Sequence, residues 1–154
     1  IIDFLSQSPS STLTVLGHLE LTPRLSGVKS QIRRRPFMNF IELQSAVAEV
    51  DVALSPLQSS PFTFSKSELK FFESAAVGTL TLASPTPVFR DTIEHNVNGF
   101  LAGPSQWGQM LTEIEELSSP QRETIAGTAR EVALARYTGT AQVAFLEELF
   151  VPGK

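Results

Sequence analysis

Short, β-rich apolar runs recur along this chain, and each is separated from the next by a stretch with helical spacing. That alternation leaves few folds open. The runs are Leu13–Gly17, Ile32–Phe37, Asp51–Leu57, Thr79–Ser84 and Phe100–Ala102. Strands joined in sequence by helices pair side by side in parallel, with the helices covering the faces. The expected class is therefore α/β, an open and mainly parallel sheet with helices on both faces. Ligands of such sheets bind beyond the carboxyl ends of the strands, here near Gly17-His18, Pro36-Phe37, Ser55-Pro56-Leu57 and Ser84-Pro85.

Helix boundaries follow from capping residues. Thr22-Pro23 opens a short helix, and Asn39 caps one that buries Phe40, Leu43, Val47 and Val50. Pro36 ends the second strand or marks an edge. Gln58 to Phe64 reads as a polar, proline-containing loop. Ser65 and Glu68 fit a capping box, which predicts a helix from Ser65 to Val77 with Gly78 as its left-handed stop. A short helix follows around Phe89–Glu94, and Asn98-Gly99 turns into the last strand. Beyond residue 105 the spacing is helical throughout. Ser105 caps a helix burying Trp107, Leu111, Ile114 and Leu117. Ser119-Pro120 opens another that reaches Tyr137 and stops at Gly139, and Thr140 opens the last, which ends before Pro152.

A chain of 154 residues, 42% hydrophobic and 18% charged, suits one domain with a real core. Residues 1–154 are read as that domain, with 105–154 as its C-terminal helical segment. A net charge of -4 argues against general nucleic-acid binding. Arg33-Arg34-Arg35 cannot form one phosphate-binding stripe on a strand, because alternate residues face opposite sides. A solvated strand end and a place near a ligand both stay open for it. There is no cysteine, which removes disulfides and thiolate metal sites and is compatible with a reducing compartment. No apolar run approaches the ~20 residues a membrane helix needs. The chain lacks a starting methionine, and Ile1, Ile2 and Leu5 look like the last turns of an amphipathic helix, so a fragment of a longer protein is expected.

The segment Ser65–Ser84 carries the chemistry. A helix start favours anions through unpaired N–H groups and the helix dipole. On a helix advancing ~100° per residue, Lys66, Lys70 and Glu73 fall on one side, with Leu69, Phe72 and Ala76 turned toward the sheet. Ser65, Lys66 and Ser67 are placed to hold a diphosphate, and Lys70 to add positive field. Glu73, an acceptor-only group, suits a pair of sugar hydroxyls. The plainer alternative is a surface stripe with a Lys70–Glu73 ion pair worth a few tenths of a kcal/mol. His18, at a strand end, is a candidate to line the same cleft. The two histidines lack acidic neighbours at ligand spacing, so no metal site is expected. Trp107 reads as core, His95 as solvated, and Phe62 and Phe64 as either stacking or loop-packing residues.

The ordered series Asp51-Val52-Ala53-Leu54-Ser55-Pro56-Leu57, Lys66–Glu73, Gly78-Thr79-Leu80, Ala83-Ser84, Ile93, Asn98-Gly99-Phe100-Leu101, Trp107, Ala129-Arg130 and Tyr137 resembles the C-terminal, donor-binding domain of group 1 (GT4-type) glycosyltransferases of the GT-B fold. The resemblance implies a Rossmann-like domain whose first βα unit lies upstream of Ile1. It also implies transfer of a sugar from a nucleotide-diphosphate sugar, a co-substrate rather than a cofactor, with retention of configuration and in bacterial polysaccharide or surface-glycan synthesis. Glu73 matches the ribose-binding second glutamate of the family's Glu-x7-Glu motif. The first glutamate falls at Ser65, a departure from the motif. A family variant, Ser-x-Leu-Lys-x-x-Glu, is reproduced by Ser67, Leu69, Lys70 and Glu73. The base lies near Pro36-Phe37 in such domains.

The acceptor would be held by an N-terminal domain absent here, so this fragment alone would be inactive, at most a weak nucleotide binder. A cytoplasmic location is implied, with peripheral membrane association of the full protein left open. The competing class is a noncatalytic α/β interaction or regulatory module of the same fold.

Overall fold

The computed structural model describes residues 1–20 and 22–150. Strands form where the apolar runs fall: β1 (Leu13–Leu16), β2 (Ile32–Arg35), β3 (Val52–Ser55), β4 (Leu80–Ala83) and β5 (Phe100–Leu101). Between and after them come α1 (Ile2–Gln7), α2 (Pro23–Ser26), α3 (Phe40–Ala48), α4 (Pro61–Phe64), α5 (Leu69–Ala76), α6 (Pro87–Thr92), α7 (Trp107–Glu115), α8 (Ser119–Tyr137) and α9 (Gly139–Phe150). Every strand pairing is parallel. The α/β class expected from the sequence is what the chain adopts. One feature differs from a continuous sheet: the strands form two sheets, β1-β2 and β3-β4-β5.

Local chemistry fixes several boundaries as the residues predict. The Thr22 hydroxyl accepts the Leu25 N–H. Asn39 and Glu42 form a reciprocal capping box, with bonds of 3.0 and 3.1 Å. Gly78 takes φ +79° just past α5, a conformation that costs a residue with a Cβ. Trp107 is buried, as expected.

Other boundaries move. Gln58–Phe64 is not all loop, because Ser60 and Thr63 box the start of α4 and Pro61 occupies its first position. Ser65 then becomes the end of α4, and α5 starts only at Leu69. Proline likewise sets α6, which begins at Pro87, two residues before the expected Phe89. Gln106, not Ser105, precedes α7, and its side-chain Oε1 accepts the Gly103 N–H at 2.8 Å. Gly139 does not simply stop α8. Thr138 breaks the helix with an extended backbone, and Gly139 opens α9. The expected end before Pro152 lies outside the described residues.

The core has two halves separated by β4, whose residues are all buried. Leu80 and Leu82 face Phe4 and Leu5 of α1 and Trp107, Met110, Leu111 and Ile114 of α7. Ala83 faces Phe71 and Ala75 of α5, Phe89 of α6 and Ala129 and Ala133 of α8. The alternation of the strand thus seats one helical layer on each face.

Phe71 is completely buried in the second half. Phe71→Ala should cost about 3–5 kcal/mol of unfolding free energy in urea titrations. A loss below about 1 kcal/mol would show that this face is not packed as described.

Candidate binding cleft

A cleft of about 860 Å³ opens between the two sheets. Leu13, Thr14 and Leu16 of β1 line one wall, and Val52, Ala53, Leu54 and Ser55 of β3 the other. Phe4, Leu5, Leu111 and Ile114 close one face, and Leu43, Ala46 and Val47 of α3 with Lys70, Glu73 and Ser74 of α5 close the opposite one. Pro36, Phe37 and Met38, just beyond β2, complete the lining at the carboxyl ends of the strands.

The rotation of α5 decides what its side chains can do. Phe71, Ser74 and Ala75 are buried, while Leu69 and Ala76 are exposed. This corrects the expected sheet-facing set of Leu69, Phe72 and Ala76. Phe72 turns instead toward α8, where its ring stacks on Tyr137 with centroids 4.5 Å apart. Phe71 takes the place on the sheet, because the large apolar ring fits over the small Ala83 of β4. Lys70 and Glu73 are thereby left on the flank that meets the cleft.

Of the predicted site residues, the structure brings Phe37, Lys70 and Glu73 together on the cleft. It leaves Ser65, Lys66, Ser67 and His18 outside its lining. The physical cause for the first three is the late start of α5. Ser65 spends its hydroxyl on the Pro61 carbonyl at 3.2 Å. Lys66 places its ammonium 5.1 Å from the centre of the Phe62 ring, a cation–π contact. Ser67 is exposed in the connecting loop. His18 follows Gly17, whose φ of +98° turns the chain away from β1, and is exposed. A Cβ at Gly17 would lie 2.8 Å from the Phe37 ring, so this glycine also makes room for Phe37.

Charge is arranged unevenly. Among the described residues the one ion pair within 4.0 Å joins Arg35 to Glu49. Its hydrogen bond, reinforced by the guanidinium charge, holds the Glu49 carboxyl below its usual range. Lys70 and Glu73 are not paired with each other, so the plainer ion-pair reading of this stripe does not describe the chain. Arg33 also lines the cleft. The strand alternation that splits the arginine triplet turns Arg33 and Arg35 to one side of β2 and Arg34 to the other. Arg34 donates to the Leu19 carbonyl at 2.8 Å.

Sequence reasoning missed the contact that sets the start of α5. Glu68 precedes the helix without capping it, and its carboxylate accepts the Tyr137 hydroxyl of α8. Burial first, and then this hydrogen bond, push the Tyr137 hydroxyl up to about 12. The carboxyl ends of β3 and β4 are tied as well. The Ser84 N–H donates to the Ser55 carbonyl at 3.1 Å, and the Ser84 hydroxyl accepts the Leu57 N–H at 2.8 Å. No cluster of metal-ligating side chains occurs among the described residues.

With this geometry in hand, relatives are informative. The family described as glycosyl transferases group 1 matches residues 3–119. This chain belongs to that family. The same fold occurs in solved structures at 19–22% identity. The C-terminal domain of the group 1 glycosyl transferase LpcC from Francisella tularensis superposes with TM-score 0.71 at 22% identity, over 90% of this chain and 75% of that one. Anabaena HepE, in complex with UDP and glucose, gives 0.78 at 21% identity over 96% of this chain and 43% of its own. Sucrose-phosphate synthase from Thermosynechococcus elongatus gives 0.76 at 19% identity, over 99% and 42%. The chain thus spans less than half the length of the last two. No curated protein matches the sequence.

The Tyr137–Glu68 bond has a pH signature. Because the folded hydroxyl titrates higher than the ~10 of an unfolded tyrosine, its contribution is complete below pH ~10 and is lost as pH rises through about 12. Denaturation midpoints measured from pH 9 upward should fall across that window, and Tyr137→Phe should flatten the tyrosine-dependent part of the fall. An identical pH profile in the variant would rule out the coupling.

Proposed function

We propose that this chain forms the donor-binding part of a glycosyltransferase that moves a sugar from a nucleoside-diphosphate sugar to an acceptor. The supporting observation is the placement of Lys70 and Glu73. Both face one cleft at the ligand-bearing side of a parallel sheet, and neither neutralises the other. Glu73, with no hydrogen-bond partner among the described residues, is free to accept from two ribose hydroxyls. Lys70, with Arg33 across the cleft lining, supplies positive charge for the diphosphate. Phe37, largely exposed beside Gly17, offers an apolar face for the base. Ser65, Lys66, Ser67 and His18 are left without a donor contact.

In this reading the bond between the anomeric carbon and the diphosphate oxygen breaks. An acceptor oxygen bonds to that carbon and gives up its proton. The departing diphosphate carries the developing negative charge, and fixed positive groups lower the barrier by meeting it there. Retention of anomeric configuration, a role in bacterial polysaccharide or surface-glycan synthesis and a cytoplasmic setting belong to the same proposal. So do the absence of a required cofactor and a separate N-terminal domain for the acceptor. The chain would act as one nucleotide-sugar-binding domain of a longer protein, inactive by itself. No helix among the described residues is long and apolar enough to cross a membrane.

Calorimetric titration of the chain with UDP, GDP and ADP tests the assignment. Glu73→Gln should weaken the preferred nucleotide by roughly tenfold to a hundredfold, the loss expected for charge-assisted hydrogen bonds of ~1.5–3 kcal/mol. Lys70→Ala should weaken it too and reduce its dependence on salt. Affinities unchanged by both substitutions would remove the donor site from this cleft.

A further inference from the structure

We infer that a hollow between α4 and α6 is a subsite for a neutral sugar ring, contributed by the glycan that accepts the transferred sugar. The occupant's place in the reaction rests on the donor reading of the cleft; the affinity of the hollow for a sugar does not.

The hollow has a volume of about 370 Å³. Ser59 and Phe64, from the segment after β3, line one side, and Pro85, Pro87, Arg90 and Asp91, from the segment after β4, line the other. It shares no residue with the cleft, yet it lies at the same edge of the sheet, where the parallel strands end. Its aromatic wall runs against the usual sorting of residues. Helix α4 buries Thr63 (8% exposed) and leaves Phe62 (75%) and Phe64 (44%) outside. Burying the phenyl rings and solvating the hydroxyl would be the favoured arrangement. Hydrogen bonds hold the inversion in place. The Thr63 hydroxyl donates to the Gln58 carbonyl and accepts the Ser60 N–H at 3.1 Å, while the Ser60 hydroxyl accepts the Thr63 N–H at 3.2 Å. The Lys66 ammonium sits over the Phe62 ring, which leaves Phe64 as the aromatic face of the hollow.

The opposite wall decides the class of ligand. Arg90 and Asp91 are exposed on α6 and take part in no ion pair among the described residues. Their charges sum to zero, so the hollow lacks the excess positive charge a phosphate needs and the excess negative charge an amine needs. Two unpaired charges also make it a poor host for an apolar molecule. A guanidinium and a carboxylate are planar, two-point groups, the first donating only and the second accepting only. Vicinal hydroxyls both donate and accept, and so satisfy the two together. The electron-rich face of Phe64 attracts the polarised C–H groups of a sugar ring. The volume lies at the lower end of the ~300–1,000 Å³ of small-molecule sites, which suits one ring rather than a nucleotide. The walls are already ordered. Pro61, Pro85 and Pro87 fix the backbone, Phe89 anchors α6 in the core, and the Ser84 hydroxyl ties the two segments through the Leu57 N–H. Preordered walls lessen the entropy lost on binding. The donor's own sugar is attached to the diphosphate beside Lys70, so a ring in the hollow belongs to a second molecule. For a sugar transferase that molecule is the acceptor.

Amide-resolved NMR of the chain, titrated with the methyl glycosides of glucose, galactose, mannose and N-acetylglucosamine, tests the subsite. At least one of these sugars should give saturable shifts centred on the Ser59, Phe64, Arg90 and Asp91 amides. Phe64→Ala and Asp91→Asn should each weaken that binding about tenfold, while UDP affinity stays within about twofold of the parent chain. Both side chains are exposed, so neither change removes a core contact. No saturable shift from any of these sugars, or shifts that persist in both variants, would overturn the inference. A loss of UDP-glucose affinity in Asp91→Asn with UDP affinity unchanged would also overturn it, because the hollow would then hold the donor's sugar. The glycoside titrations contain no nucleotide, so the subsite and the donor site can fail independently.

Discussion

The seating of α5 over β4 is the contact on which the rest of the site depends. Phe71 and Ala75 occupy the sheet face of the helix, and Ala83 beneath them is small enough to let it approach. Once those residues are buried, helical geometry leaves Lys70 and Glu73 no choice of direction. Two charges become available to a cleft because two apolar side chains are not. The second restraint comes from α8. Tyr137 stacks on Phe72 and donates to Glu68, so it grips the helix at its start and on its outer flank. A carboxylate at a helix start would otherwise compete with any anion for the same N–H groups. Drawing the Glu68 carboxylate toward α8 lessens that competition.

Much of the architecture was legible because it rests on local chemistry. The strands are apolar runs bounded by turn residues, and the Asn39–Glu42 box and the Thr22-Pro23 start involve partners only a few positions apart. The errors cluster where a longer-range contact overrode a local one. Ser65 and Glu68 do have the spacing of a capping box. Two things defeat it. Ser60, Pro61 and Thr63 make an earlier and better start, which consumes Ser65 as the end of a preceding turn. Glu68 is then claimed by Tyr137, 69 residues further on. No window of local sequence contains that partner. The same shift explains why Lys70 and Glu73 line the cleft while Ser65, Lys66 and Ser67 do not: the first two belong to the helix under either start.

Arg33 illustrates a different limit. The arginine triplet was rightly divided by strand alternation, but alternation does not say which side meets a cleft. That depends on which neighbour β2 pairs with and on the position of α3, at whose C-terminal end Glu49 captures Arg35. Pairing removes Arg35 from the supply of cleft charge and leaves Arg33. The positive charges on the cleft lining therefore come from residues far apart in sequence, Arg33, Lys70 and Arg122, rather than from the conspicuous arginine cluster as a whole.

The cleft lining mixes apolar strand side chains with charged groups at both ends, Asp51, Glu115 and Arg122 as well as Lys70 and Glu73. Its walls along β1 and β3 are mostly Leu, Val and Ala side chains, with Thr14 and Ser55 the polar exceptions, and they offer little to a diphosphate. Its charged and aromatic residues from α5 and the loop after β2, Lys70, Glu73 and Phe37, belong to the side where the strands end. A nucleotide lodged deep between the edges would have to bury phosphate charge against unpaired apolar walls, at a cost of several kcal/mol for an uncompensated ion. Beside Lys70 the same charge would meet an ammonium. The position of α5 thus sets which charges, Lys70 and Glu73, the cleft presents near the carboxyl ends of the strands.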